Sequence, residues 1–299
     1  MCHSFDRHGP CRDRDYAGRR SAGSYCRPIA GPRAGGRKRH NDVGSAAGRR
    51  TNGADPMSVI TCTYTDGVAV LTLRNEAKLN ALTTGMLRAL DGFLDEIESK
   101  PDVRAVILTG AGNKAFCCGA DIAEWGPLGP AEFARHWVRN GHRVFDRLAR
   151  FSKPTIGAIN GHAFGGGLEL AACCDVRVMT SRATLALPEA KVGIVPGWSG
   201  TQRLTRLLPE PVVKEMALFG RRIGAKQACA LGFASEVADD ALAAAHEMAA
   251  LLGDISPRAN ELAKAMIHAA VGEDRNAAIE TLGSAAAAAS ADRAEGVAA

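Results

Sequence analysis

The sequence predicts an α/β fold, and three observations carry that prediction. Two runs, 103–109 (VRAVILT) and 155–159 (TIGAI), read as continuous apolar strands of the kind buried on both faces of a sheet. Segments with apolar residues at helical spacing alternate with such runs, the pattern of strands joined by crossover helices. The 299 residues suffice for one large domain or two smaller ones, and no short repeat of solenoid period is evident.

Residues 1–56 carry twelve Lys/Arg against five Asp/Glu, are poor in Leu, Ile and Val, and follow neither helical nor strand period. This is the composition of a disordered basic tail. It lacks the apolar core of a secretory signal, and Asp6, Asp13 and Asp15 argue against a mitochondrial transit peptide. The composition changes at Met57, so the expectation is that the native protein starts there; the rival reading of the tail is an RNA-contacting arm. Residues 57–299 hold twenty-five basic against twenty-seven acidic residues, so the body offers no net charge for nucleic acid.

From residue 60 the pattern becomes ordered. The β-rich runs 60–64 and 68–73 flank Asp66-Gly67, a hairpin signal. Thr83 or Thr84 can cap a helix whose apolar positions Met86, Leu87, Leu90, Phe93, Leu94 and Ile97 share one face. The strand 103–109 follows, then a compact segment, 114–121 (KAFCCGAD), and a helical region over about 130–150. After the strand 155–159 comes a triple glycine that opens a short apolar helix. Runs 176–179 and 184–187 read as strands, 199–208, 211–219, 225–231 and 240–252 as helices, and 235–237 as a last strand. From Ser256 the chain is helical and alanine-rich, giving a core over 57–255 and a C-terminal helical region over 256–299.

The chemistry concentrates in 160–202. Gly165, Gly166 and Gly167 let a ligand approach the main chain, and the first N–H groups of a helix lack intrahelical acceptors. A glycine N–H placed there is a good oxyanion donor, and the turn Cys118-Gly119-Ala120-Asp121 is the best source of a second. Glu169 lies among Leu168, Leu170, Ala171 and Ala172, and Glu189 between Pro188 and Ala190. Carboxylates in apolar surroundings have raised pKa values, and two that share a water can divide the roles of acid and base. Simpler readings exist for each: a tight turn for the glycines, a favourable first-turn charge for Glu169, and an ion pair with Lys191 or Arg182 for Glu189.

Four motifs carry a family resemblance: LNAL at 79–82, KAFCCGADI at 114–122, KPTIGAINGHAFGGGLELAACCD at 153–175 and LPEAKVGIVPGWSGTQRL at 187–204. In this order they resemble the crotonase (enoyl-CoA hydratase/isomerase) superfamily, closest to its enoyl-CoA hydratases. The resemblance implies a spiral of ββα units with a helical C-terminal trimerisation region, a homotrimer or a hexamer built as a dimer of trimers, and a cytoplasmic enzyme. It implies an acyl-CoA thioester substrate with its carbonyl between the N–H groups of Ala120 and Gly166. Lys78, Leu79, Ala120, Asp121, Ile122 and Ala123 would lie along the CoA. Hydratases of the family have both acids, here Glu169 and Glu189, whereas one position is typically not an acid in the isomerases. The implied reaction is hydration of a trans-2-enoyl-CoA in fatty acid or related acyl-CoA degradation, with no metal and no separate cofactor. The alternatives are enoyl-CoA isomerisation, acyl-CoA hydrolysis, or a non-catalytic CoA- or RNA-binding homologue.

Departures from the family pattern set further expectations. Arg74-Asn75-Glu76 replaces the usual Arg-Pro connection, and Ala123 stands where a lysine often follows GADI. Trp198 and Ser199 stand where small residues are common; the tryptophan either walls the acyl pocket or packs against a neighbouring helix. The sequence ends in SADRAEGVAA without the aromatic and Lys-Arg segment that closes over CoA in relatives, so a truncated C-terminal region is expected. His162, His136 and His142 read as packed or surface residues, and Asp175 as the anchor of a helix-to-strand turn. The nine cysteines include two adjacent pairs in apolar segments, read as small buried residues of a reducing compartment. No apolar run is long enough to span a membrane.

Overall fold

A computed structural model describes residues 59–271. The expected tail 1–56, and the C-terminal helical region beyond residue 271, lie outside the described residues. Strands β1 (Val59–Thr65) and β2 (Val68–Arg74) form the expected antiparallel hairpin. Both turn residues, Asp66 and Gly67, have positive φ, as a two-residue turn matching the strand twist requires. Helix α1 (Thr84–Glu98) starts where the Thr83 side chain accepts the Met86 N–H at 3.2 Å, a cap worth about 1 kcal/mol. It buries Met86, Leu87, Leu90, Leu94 and Ile97, five of the six residues the spacing assigned to its apolar face.

The chain then winds by a repeated rule: one strand in a large sheet, one short strand in a second sheet, then helix. The first turn is β3 (Ala105–Gly110), β4 (Ala115–Cys117), α2 (Ile122–Trp125), α3 (Pro130–Glu132) and α4 (Arg139–Ala149). The second is β5 (Thr155–Ile159), β6 (His162–Phe164) and α5 (Gly166–Ala171). The third is β7 (Val176–Thr180) and β8 (Thr184–Ala186), followed by a 3-10 turn at Glu189–Val192. Helices α6 (Gly200–Leu207) and α7 (Glu210–Phe219), strand β9 (Ile223–Gly224), helix α8 (Ala225–Ala230), strand β10 (Glu236–Ala238) and helix α9 (Ala241–Ala250) follow. Helix α10 (Pro257–Ala270) begins where the Ser256 side chain accepts the Ala259 N–H.

The large sheet has the order β1-β2-β3-β5-β7-β10, parallel throughout except for the β1–β2 hairpin. Every residue of β3 and β5 is buried, which explains their lack of alternation. The second sheet has the order β4-β6-β8-β9, with β4, β6 and β8 parallel. Its strands of two or three residues are too short to leave a period, so only β8 was foreseen. The helical region over 130–150 is also not uniform: 133–138 forms a π-helical segment between α3 and α4.

Among the described residues no helix is long and apolar enough to cross a membrane. Cys117, Cys173 and Cys174 are free and buried, and burial pushes the Cys117 thiol up to about 12, so these behave as small core residues. Asp175 accepts the backbone N–H and the hydroxyl of Thr155 at 2.7 and 2.9 Å, fixing the entry to β7 as expected, and pairs with Lys264 of α10 at 2.7 Å.

Candidate active site

The carboxyl ends of the parallel strands β4, β6 and β8 converge, and the segments that leave them line one cavity of about 290 Å3. Cys118, Gly119 and Ala120 come from the first, Gly165, Gly166 and Glu169 from the second, and Pro188 and Glu189 from the third. The approach is close because glycines permit it. Gly119 has φ +105, and a Cβ on it would lie 3.2 Å from the Phe164 carbonyl and 3.5 Å from the Gly166 nitrogen. Gly165 has φ +51, and a Cβ there would come within 2.9 Å of Glu189 Oε1. Left-handed backbone of this kind is strained for any side-chain-bearing residue.

Two backbone donors have no acceptor among the described residues. Gly166 is the first residue of α5, so its N–H has no intrahelical acceptor. Ala120 bridges Leu82 through the groups on either side of it: the Leu82 N–H reaches the Gly119 carbonyl and the Asp121 N–H reaches the Leu82 carbonyl, both at 2.8 Å. Its own N–H has no acceptor among the described residues. A Cβ built on Gly166 would lie 3.6 Å from the Ala120 nitrogen, so the two donors are neighbours.

The two acids are held differently. Glu169 is 3% exposed, and its Oε1 accepts the backbone N–H of Trp198 at 2.9 Å and of Gly200 at 2.7 Å. The turn that presents these donors needs Ser199 at φ +78, in the left-handed region, with its Oγ 3.1 Å from His142 Nδ1 of α4. Burial pushes the Glu169 carboxyl up, while the backbone donors and the Arg203 charge pull it back. Glu189 is 7% exposed, and neither of its oxygens has a hydrogen-bond partner among the described residues. Its carboxyl is pushed up from 4.5 to about 7, chiefly by burial and further by the Glu169 charge, against its own backbone N–H. The simpler reading of Glu189 as one half of an ion pair therefore fails: Lys191 lines the same cavity, but no bond joins them.

The sequence-predicted residues divide into two groups. Ala120, Ile122, Gly166, Glu169, Glu189 and Trp198 line the cavity together. Lys78, Leu79, Asp121 and Ala123 do not. Lys78 Nζ pairs with Asp121 at 2.7 Å, the buried Asp121 caps α2 by accepting the Ala123 N–H, and Leu79 sits exposed in a left-handed turn. Trp198 lines the cavity and packs against Trp137 and, on α4, Phe145, with ring centroids 5.3 and 5.0 Å apart. Sequence reasoning missed Trp137 and the cradle at Gly197, Trp198 and Gly200. The glycines around Trp198 were a visible signal for a tight turn; the left-handed Ser199 was not.

The enoyl-CoA hydratase/isomerase family profile matches residues 63–298. The chain belongs to this family. Relatives include the short-chain-enoyl-CoA hydratase of Clostridium acetobutylicum, 39% identical over 67% of this chain and 77% of that protein. The mitochondrial enoyl-CoA hydratase of Pongo abelii is 41% identical over 57% of each chain. The solved structure of an enoyl-CoA hydratase from Bacillus anthracis superposes with a TM-score of 0.69 at 35% identity, covering 80% of this chain and 93% of that one. The mixed α/β architecture described above, with its alternation between two sheets, is thus the crotonase fold.

Proposed function

We propose that this protein is an enoyl-CoA hydratase, which adds water across the 2,3 double bond of a trans-2-enoyl-CoA to give a 3-hydroxyacyl-CoA. The observation that carries the reading is the pair of buried carboxylates, one held by two backbone N–H groups and one without a partner among the described residues, beside two unclaimed backbone N–H groups. The thioester carbonyl accepts from Ala120 and Gly166, and these donors stabilise the enolate by an amount on the order of 3 kcal/mol each. Glu169, whose Oε1 is oriented by the Trp198 and Gly200 N–H groups, takes a proton from the water that attacks C3. Glu189, with no hydrogen-bond partner among the described residues and a carboxyl pushed up to about 7, carries a proton in about half the molecules at neutral pH and delivers it to C2. The proton taken up by Glu169 must return to Glu189 before the next turnover.

Asp121, Ile122 and Ala123 follow Ala120 directly, so a thioester at Ala120 N–H would run its pantetheine past them toward Lys78 and Leu79. The reaction needs no metal and no cofactor beyond the CoA that is part of the substrate. The resemblance to family members also supports a role in fatty acid or related acyl-CoA degradation, a homotrimer or dimer of trimers, and a cytoplasmic location. Glu169→Gln and Glu189→Gln should each lower hydration of crotonyl-CoA by about 10²-fold or more, while CoA binding persists. Near-normal turnover in either variant would refute the assignment, and activity only on a 3-enoyl-CoA would make the protein an isomerase.

A further inference from the structure

The chain has three tryptophans in 299 residues, and all three, Trp125, Trp137 and Trp198, line the cavity that holds Glu169 and Glu189. Phe133 joins them, paired with Trp125 at a centroid distance of 5.7 Å, as Trp137 is with Trp198 at 5.3 Å. A sequence with only 5% aromatic residues has thus placed its largest rings around one small space. Two of those rings, Trp198 and Trp137, are buried and held in place. Trp198 is 3% exposed and spans from the oxyanion turn to α4: a Cβ on Gly166 would lie 2.9 Å from its Cζ3, and a Cβ on Gly141 would overlap its Nε1. Phe145 closes it from behind at 5.0 Å. Trp137, 6% exposed, lies in the π-helical segment whose other end carries Phe133.

An acyl group whose carbonyl sits at the Ala120 and Gly166 N–H groups therefore lies against the benzo edge of Trp198. The aliphatic walls come from Ile122, Val138 and the Val192–Val195 strip. Rigid aromatic walls give a flat conjugated ring offset-stacked and edge-to-face contacts that an alkyl chain does not gain. A ring also loses little rotamer freedom on binding, whereas each methylene of a flexible chain must be ordered. We propose that this pocket selects an aryl-conjugated 2-enoyl thioester, a 3-arylacryloyl-CoA, with Trp137, Trp198 and Phe133 as its specificity-determining residues. The inference rests on the hydratase reading of the site and assigns its substrate class.

The test is kcat/KM of the full chain for crotonyl-, trans-2-hexenoyl- and cinnamoyl-CoA, repeated for Trp137→Leu and Phe133→Leu. Calorimetric titration with the hexenoyl and cinnamoyl thioesters runs beside it. The expected result is a cinnamoyl-to-hexenoyl ratio of about ten or more, the size of two good aromatic contacts, which falls about fivefold in either variant. Phe133 is only half-buried, so its variant folds even if the Trp137 variant does not. Equal or better use of hexenoyl-CoA by the unsubstituted protein overturns the inference and leaves the hydratase reading standing, as does a ratio that neither variant lowers. If none of the three thioesters is hydrated, the hydratase reading falls, and the titration still decides the pocket: about tenfold tighter cinnamoyl binding upholds the inference, and equal binding overturns it.

Discussion

Glu189 carries a measurable cost to stability. It is buried, both its oxygens lack hydrogen-bond partners among the described residues, and its carboxyl is pushed up from 4.5 to about 7. A carboxyl that holds its proton more tightly when folded than when unfolded makes folding take up protons between those two values. Stability is then highest below about pH 4.5 and falls as the pH rises through about 7. Fully ionised, the folded protein is penalised by about 3 kcal/mol, against about 1 kcal/mol at pH 5. Glu189→Gln removes the titration and keeps the shape of the protonated acid. Chemical denaturation of both proteins without ligand, at pH 5 and pH 9, should show the variant's relative stability growing by roughly 2–3 kcal/mol between the two. The more stable protein at pH 9 should be the less active one. A difference in stability that does not change with pH would show that Glu189 is not held in the strained ionisation state described.

Two further outcomes follow from the same geometry. Because Glu189 must carry a proton to deliver it, kcat/KM for hydration should decline as the pH rises through about 7, and the Glu189→Gln variant's residual rate should show no such decline. Gly165→Ala would place a methyl group against Glu189 Oε1 in left-handed backbone, so it should cost about 1–3 kcal/mol in thermal unfolding and most of the activity.

Much of the scaffold was legible because its elements leave strong local patterns. The face of α1 repeats at helical spacing, Asp66-Gly67 names its own turn, and β3 and β5 show by unbroken apolarity that both faces are covered. The second sheet was hidden because β4, β6 and β9 hold two or three residues each, and their register comes from neighbours far along the chain. Glu169, Glu189, Ala120 and Gly166 were readable because acids within apolar sequence and glycine-opened turns are local signals. Their electrostatic difference was not. Glu169 is held by N–H groups some thirty residues away, presented by a left-handed Ser199 that local sequence would not choose. Glu189 is distinguished only by the absence of such a hold. The aromatic wall was half visible: Trp198 stood out against the family pattern, whereas Trp137 and Phe133 reach the cavity through a π-helical segment that an ordinary helical period does not predict.

The central claim is that Glu169 and Glu189 add water to a 2-enoyl thioester at this site. Its most direct test is mass spectrometry of the product formed from crotonyl-CoA in heavy-oxygen water. The account predicts a 3-hydroxybutyryl-CoA carrying one heavy oxygen on C3, formed at a rate that collapses in both Glu169→Gln and Glu189→Gln. Unlabelled product, label in a released carboxylic acid, or full labelling at normal rate in either variant would contradict it.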